Sequence, residues 1–218
     1  MNSSENRSNG IKITVPRIED LSLMVELHIK TNPEAYLTSL GRRFLTGMYK
    51  RFIKDPRAVS FIARDELSAN IAGVALGCVK VRSFYRTMGL HLAHYYVGSF
   101  ISARLNGRNL GVGLAERYKH QSGVLPDEKN MAYFTQLNVS PDFQRRRVGS
   151  RLATQFYEEV KSRGADKVYL ITNEDNASVR SLHEKMGCSM VKTYVTPSHI
   201  GRCLYVKNLG PEKSGQRR

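Results

Sequence analysis

Three consecutive arginines, Arg145 to Arg147, lie between Pro141 and Gly149 near the middle of the chain. The residues before Pro141 have the pattern of a β-strand, and those from about Gly149 onwards have the pattern of a helix. Cations at a helix N-terminus oppose the helix dipole, at a cost of roughly 0.3–1 kcal/mol. Free backbone N–H groups at such an end bind phosphate, and a bound polyanion would offset that cost. The loop therefore predicts phosphate binding.

The flanking segments predict a scaffold for this loop. A helix that Gly164 ends is predicted by apolar residues at every fourth position, namely Val148, Leu152, Phe156 and Val160. The apolar, β-branched run from 167 to 172 predicts a buried strand, which completes a βαβ-like unit. A second helix is predicted between Asn176, a suitable N-cap, and Gly187. Strands at 188–196 and 201–206 are predicted to follow.

Two motifs in this region resemble a known family. The run Val139-x-Pro141-x-Phe143-Gln144-x-x-x-x-Gly149-Ser150-x-Leu152 is similar to the acyl-CoA-binding motif of the GNAT superfamily of N-acetyltransferases. The run from Asn176-Ala177 to Gly187-Cys188 resembles the next motif, in which Tyr follows Asn by seven residues. Arg147 stands where the first motif usually has glycine, and His183 where the second has Tyr. Cys188 replaces the usual Phe. Together the motifs cover about residues 131–190.

The resemblance implies an α/β (α+β) fold with a mixed, mostly antiparallel central sheet flanked by helices, and a splayed strand and phosphate loop at 139–150. It also implies acetyl-CoA as the acyl donor and direct attack by a primary amine. The cofactor-binding residues that it implies are Leu137, Val139, Gln144, Arg145, Arg146, Arg147, Val148, Gly149, Ser150 and Asn176. His183 takes the position of the family's catalytic acid.

The chemistry needs a neutral amine, yet a free alkylamine has a pKa near 10.4, so a base is useful. The strand before Pro141 contains no acidic residue, and the base stays unnamed. Thr135 or Gln136 could reach the reacting centre, and a backbone N–H near 137–139 could stabilise the oxyanion. His183 has a suitable reference pKa of about 6.5. The alternative for His183 is an exposed helix residue with no role.

The first part of the chain predicts strands at 10–16, 59–63 and 71–81 and helices at 18–30 and 39–54. A mixed, partly helical insertion at 84–118 could help to form the acceptor pocket. We expect one domain at 11–207 between flexible tails at 1–10 and 208–218. Histidines and arginines interrupt 89–114, so this stretch is not a transmembrane helix.

The net charge and the cysteine spacing limit the possible functions less than the two motifs do. The net charge is +15, which is compatible with an anionic ligand or with nucleic acid. The three cysteines, Cys78, Cys188 and Cys203, lack metal-binding spacing, so no metal and a reducing, cytoplasmic location are expected. We expect a small-molecule amine as substrate, with a protein amine as the other option, and neither a membrane nor nucleic acid as partner. The alternative is a non-catalytic acyl-CoA- or nucleic-acid-binding module.

Overall fold

One seven-stranded sheet, in the order β1-β2-β3-β4-β5-β7-β6, forms the centre of the protein. The computed structural model describes residues 10–105, 124–126, 128–196 and 199–210. The strands are β1 (Ile11–Thr14), β2 (Ala58–Asp65), β3 (Ile71–Val79), β4 (Met131–Val139), β5 (Lys167–Asn173), β6 (Ser189–Val195) and β7 (Gly201–Asn208). Only β4 and β5 pair in parallel, and the other neighbours in this sheet are antiparallel. The predicted mixed, mostly antiparallel sheet is confirmed.

Helices cover both faces of the sheet. They are α1 (Leu21–Thr31), α2 (Tyr36–Ser39), α3 (Arg42–Lys54), α4 (Val81–Leu105), α5 (Val148–Ser162) and α6 (Ala177–Lys185), with 3₁₀ turns at Ile18–Asp20 and Pro141–Phe143. The helix predicted at 39–54 is divided at Gly41, whose φ of +89° lies outside the helical region. Gly164 and Gly187, the predicted helix ends, have φ values of +82° and +79°.

Two apolar cores lie on opposite faces of the sheet. Helices α1, α3 and α4 pack on one face, where Tyr133 of β4 joins their core. Helix α5 packs on the other face, where Phe134 of β4 stacks on Phe156 with ring centroids 4.3 Å apart. Adjacent residues of β4 thus contribute to different cores, as the pleat of a strand requires.

Helix α4 corrects the expectation of a mixed insertion at 84–118. Its helix is continuous from Val81 to Leu105, because Phe84, Met88 and Leu92 recur at helical spacing and are buried. Residues 106–118 of that expectation lie outside the described residues. A search of the described residues finds no helix that is long and apolar enough to cross a membrane.

The packed chain extends slightly beyond the C-terminal boundary expected at residue 207. Strand β7 ends at Asn208, and Leu209 is buried and donates its backbone N–H to Asp166 O at 2.8 Å. Residues 1–9 and 211–218, which make up most of the two expected tails, lie outside the described residues. The single-domain organisation stays a prediction.

Candidate active site

The two parallel strands part in the middle of the sheet. Strands β4 and β5 pair from Met131 and Lys167 to Phe134 and Leu170, although both continue further. Burial changes at the same point, since Met131–Phe134 are buried and Thr135–Leu137 are partly exposed. A gap therefore opens between the strands after Phe134, in agreement with the splayed strand that the family resemblance implied.

A bulge in β4 determines which of its side chains lie on each face of the sheet beside this gap. Leu76 of β3 pairs with Gln136 and Gly77 pairs with Phe134, so Thr135 is the extra residue. Thr135 Oγ1 lies 2.7 Å from Tyr85 Oη, and Gln136 Nε2 lies 2.7 Å from His28 Nδ1. Strict alternation would have brought only one of Thr135 and Gln136 to the α1–α3–α4 face, and the bulge brings both.

Backbone donors of β4 face the gap. Ser140 donates its N–H to Ala72 O at 2.9 Å, on the β3 side of the strand. Because successive N–H groups of a strand point to opposite sides, those of Val139 and Leu137 point away from β3. These two residues were predicted from the sequence as cofactor contacts.

The loop before α5 has an unusual backbone. Arg145 and Arg147 both have φ of +59°, and Arg147, with ψ of 14°, is the left-handed N-cap of α5. A left-handed residue followed by a helical one turns successive N–H groups into an anion-binding concavity. No side chain caps this end of α5, and Ser150 Oγ donates instead to Arg147 O at 2.9 Å. The first N–H groups of α5 are therefore available to an anion.

The predicted cofactor residues come together around this helix end. A Cβ added at Gly149 would lie 3.5 Å from side-chain atoms of Val139 and Leu182 and 3.8 Å from Leu137. Gln144 and the three arginines are exposed, whereas the Val148 side chain is buried in the α5 core. Val148 can therefore contribute only its backbone to a ligand.

Asn176 occupies the N-cap of α6, as predicted. Its Oδ1 accepts the Val179 N–H at 3.2 Å, and Ser178 Oγ also donates to it at 3.2 Å. The capping role is thus confirmed, while contact with a cofactor stays a prediction for this residue.

His183 lies in the α5 core, 3% exposed, so its alternative role as an exposed helix residue is wrong. Its Nδ1 is 3.2 Å from Tyr157 Oη, and its ring meets Phe134 edge-on at 5.8 Å between centroids. Burial lowers the pKa of His183 to about 4. The imidazole is therefore neutral at neutral pH and can donate a hydrogen bond, but it is not an imidazolium acid. Its catalytic role stays a prediction.

A polar cluster lies on the opposite face of β4. Tyr49 Oη lies 3.0 Å from His28 Nδ1 and 3.2 Å from Gln136 Oε1, and Asn32 Nδ2 donates to Asn138 Oδ1 at 3.0 Å. His28 is 1% exposed, and its Nε2 is buried without a hydrogen-bond partner among the described residues. Burial lowers the pKa of His28 to about 4, although a hydrogen bond with Gln136 opposes this change.

Sequence reasoning missed this cluster. The helix predicted at 18–30 contains His28, but nothing in the sequence relates this residue to Gln136, 108 positions later. A histidine within an apolar helix face was the only local signal.

The sequence profile of the Acetyltransferase (GNAT) family matches residues 21–188, which include both motifs and the parted strands. The chain belongs to this family. A curated relative, Acetyltransferase ECA0875 of Pectobacterium atrosepticum, is 29% identical over 87 residues, which are 40% of this chain and 55% of that protein. The match thus spans about half the length of the curated relative.

Solved structures share the GNAT fold at low identity. The ribosomal-protein-S18-alanine N-acetyltransferase from Escherichia coli is 14% identical with a TM-score of 0.58, and the alignment covers 95% of this chain and 98% of that one. yncA from Salmonella typhimurium, solved with its cofactor acetyl-CoA, is 10% identical with a TM-score of 0.62, over 96% and 100% of the chains. At these identities the likeness concerns the fold alone.

Arg147, which stands where the resembled GNAT motif usually has glycine, has a left-handed backbone. Glycine adopts a positive φ without steric cost, whereas other residues lose roughly 1–2 kcal/mol. In this chain an arginine adopts that conformation and adds positive charge at the same point.

Proposed function

We propose that this protein transfers the acetyl group of acetyl-CoA to the primary amine of a small molecule by direct attack. The observation that carries the proposal is the gap between β4 and β5, which opens beside the uncapped N-terminus of α5. One structural feature thus offers a slot for an extended chain and a concavity for its phosphates. Family membership supports the acyltransferase class, and the small amine and the cytoplasmic location are parts of the proposal.

Cofactor binding is assigned to the α5 side. The backbone N–H groups of Val148, Gly149 and Ser150 bind the pyrophosphate, assisted by Gln144 and the charges of Arg145–Arg147. The backbone of Leu137 and Val139 binds the pantetheine arm, and Asn176 contacts it from the start of α6. The bound cofactor supplies an activated thioester, and the chain's residues position it.

Acyl transfer is assigned to the two sides of the gap. Backbone N–H groups at Leu137 and Val139 stabilise the negative charge that develops on the acyl oxygen. The neutral His183 donates a hydrogen bond to the departing sulfur, and the thiolate takes its proton from solvent. The neutral amine attacks the acyl carbon, and the proton that its nitrogen then releases passes to solvent through the hydrogen bonds of the His28–Gln136 cluster, because a group with a pKa of about 4 does not retain a proton at neutral pH.

The net charge of +15 favours a second candidate, a non-catalytic acyl-CoA- or nucleic-acid-binding module. Thiol release from acetyl-CoA with a panel of small amines, together with mass spectrometry of the products, separates the two. The proposal predicts amine-dependent thiol release and an acetylated amine. Acetyl-CoA binding in calorimetry without thiol release would favour the module, as would a salt-dependent shift of DNA without turnover.

Replacing Arg145, Arg146 and Arg147 together by Gln tests the cofactor assignment. The apparent KM for acetyl-CoA should rise more than the KM for the amine. Lys161→Gln, an exposed charge at the far end of α5, is the matched control and should change neither value. Equal effects of the triple variant on both KM values would contradict a specific phosphate role for the loop.

A further inference from the structure

Helix α4 has apolar residues on its outer face as well as on its inner face. Phe84, Met88 and Leu92 already anchor the helix in the core. Leu90, Val97 and Ile101 are nevertheless 76%, 55% and 53% exposed. Their spacings of seven and four residues place them in one stripe about 16 Å long. The fold does not need these side chains, and a contiguous exposed apolar patch marks an interaction surface.

Arginines extend this stripe at both ends. Arg86 precedes Leu90 by four residues and Arg104 follows Ile101 by three, so both share its face, and both are exposed. Phe100, 38% exposed, borders the stripe, and Arg104 Cζ lies 5.5 Å from its ring centroid. The outer face of α4 therefore has an apolar centre and positively charged ends.

The neighbouring helix adds charge of the same sign. Helix α3 packs closely against α4, since a Cβ added at Gly47 would lie 2.7 Å from the Tyr95 ring. Neither helix sequence contains Asp or Glu, whereas α3 has five Lys or Arg residues and α4 has three. Two of the α3 arginines form ion pairs with residues outside the helix, Arg42 with Glu26 and Arg51 with Asp55, so Arg43, Lys50 and Lys54 supply the excess charge of α3. Two copies of this surface would repel each other, and an anionic surface would attract it.

We propose that the outer face of α4 binds the surface of an anionic lipid bilayer. Leu90, Val97, Phe100 and Ile101 would insert among the acyl chains, and Arg86 and Arg104 would contact lipid phosphates. Exposed apolar residues flanked by arginines are typical of helices that lie in the membrane interface. The sequence predicted no membrane partner because histidines and arginines interrupt the candidate span at 89–114, but a helix that lies in the membrane interface does not need to span the bilayer.

Flotation of the full chain with lipid vesicles tests the proposal. The protein should bind vesicles containing about one third phosphatidylglycerol at least tenfold more tightly than pure phosphatidylcholine vesicles. About 0.5 M NaCl should weaken this binding, because the Debye length falls well below 10 Å. Failure to bind the anionic vesicles at low salt would overturn the proposal, as would equal binding to both compositions.

Two sets of variants separate the apolar and the charged contributions. Val97→Glu with Ile101→Glu should weaken vesicle binding by at least about tenfold. Met190→Glu with Val191→Glu, on the edge strand β6 where both residues are 51% exposed, is the matched control and should leave binding unchanged. Arg86→Gln and Arg104→Gln should each weaken binding about fivefold. Equal losses in the α4 and β6 variants would refute a specific role for α4.

A fluorescence experiment does not depend on disruptive variants. The chain contains no Trp, so Phe100→Trp introduces a single reporter on the proposed surface. Its emission should shift to the blue on addition of anionic vesicles, whereas Leu67→Trp, at a position that is 93% exposed, should not respond. An unshifted Phe100→Trp spectrum would overturn the proposal. The proposal would also be overturned if light scattering showed that the wild type is a dimer, that Val97→Glu with Ile101→Glu dissociates this dimer, and that the wild type does not bind vesicles.

Discussion

Replacing His183 by Asn should remove part of the acid sensitivity of this fold. The imidazole is buried beside Phe134 and Tyr157, and burial lowers its pKa to about 4. In the unfolded chain the same group has a pKa of about 6.5. As pH falls below about 6.5, the unfolded chain binds the proton first, so the free energy of unfolding decreases until the folded pKa is reached.

The magnitude follows from the two pKa values. They differ by about 2.5, and each pKa unit corresponds to about 1.4 kcal/mol, which gives about 3 kcal/mol for His183. This stability is present above pH 6.5 and is lost between about pH 6.5 and pH 4. His28 has a similarly lowered pKa and should contribute a loss of the same order. Both histidines should thus contribute to a loss of stability between about pH 6.5 and pH 4.

Urea unfolding at intervals from pH 7.5 to pH 4 measures this effect. In His183→Asn the side-chain amide retains an acceptor for Tyr157 near the position of Nδ1 but does not titrate. The stability of the variant should therefore approach that of the wild type as pH falls. His199→Asn replaces an exposed histidine and should run parallel to the wild type. Parallel curves for His183→Asn and the wild type would refute the assignment of a buried neutral imidazole.

Other changes test the loop and the proposed chemistry. Arg147→Gly should raise the free energy of unfolding by about 0.5–1 kcal/mol in urea titrations. Glycine removes the steric cost of the positive φ, and this gain exceeds the extra backbone entropy that glycine loses on folding. Arg146→Gly, at a residue without a positive φ, should lower the free energy of unfolding. Gly149→Val should weaken acetyl-CoA binding in calorimetry while the protein stays folded, and Gly149→Ala, whose Cβ would make only ordinary contacts, should weaken it less. If His183 assists the leaving thiolate, His183→Ala should lower kcat by about 10²–10⁴-fold with little change in cofactor affinity. Near-normal turnover of this variant at about pH 6–9 would exclude His183 from the mechanism.

Local patterns were sufficient to predict helix α5 and the loop that precedes it. The four-residue repeat from Val148 to Val160 predicted α5, and Pro141 and Gly149 located the loop. These signals are short-range, because helix faces and turns depend on residues close together in the sequence. The separation of β4 and β5 was predicted from the family resemblance and not from the residues alone.

Long-range features escaped prediction. The bulge at Thr135 depends on how β4 pairs with β3, and register is not encoded within one strand. The burial of His183 depends on Tyr157 of α5 covering it, which its helix position could not reveal. The division at Gly41 was missed because the apolar spacing of 39–54 continues through the glycine.

The pleat of β4 places the residues proposed to contact the two substrates on opposite faces of a single strand. Leu137 and Val139 lie on the α5 side, with their side chains near Gly149, whereas Gln136 and Asn138 face α1 and α3. Under the proposed function, substitutions at Gln136 and Asn138 should change the choice of amine without altering the slot for the thioester. A library restricted to Gln136, Asn138 and His28 would explore new acceptors on an unchanged cofactor platform. Deletion of Thr135, the extra residue of the bulge, should remove its contact with Tyr85 while Gln136 and Asn138 keep their face of the sheet.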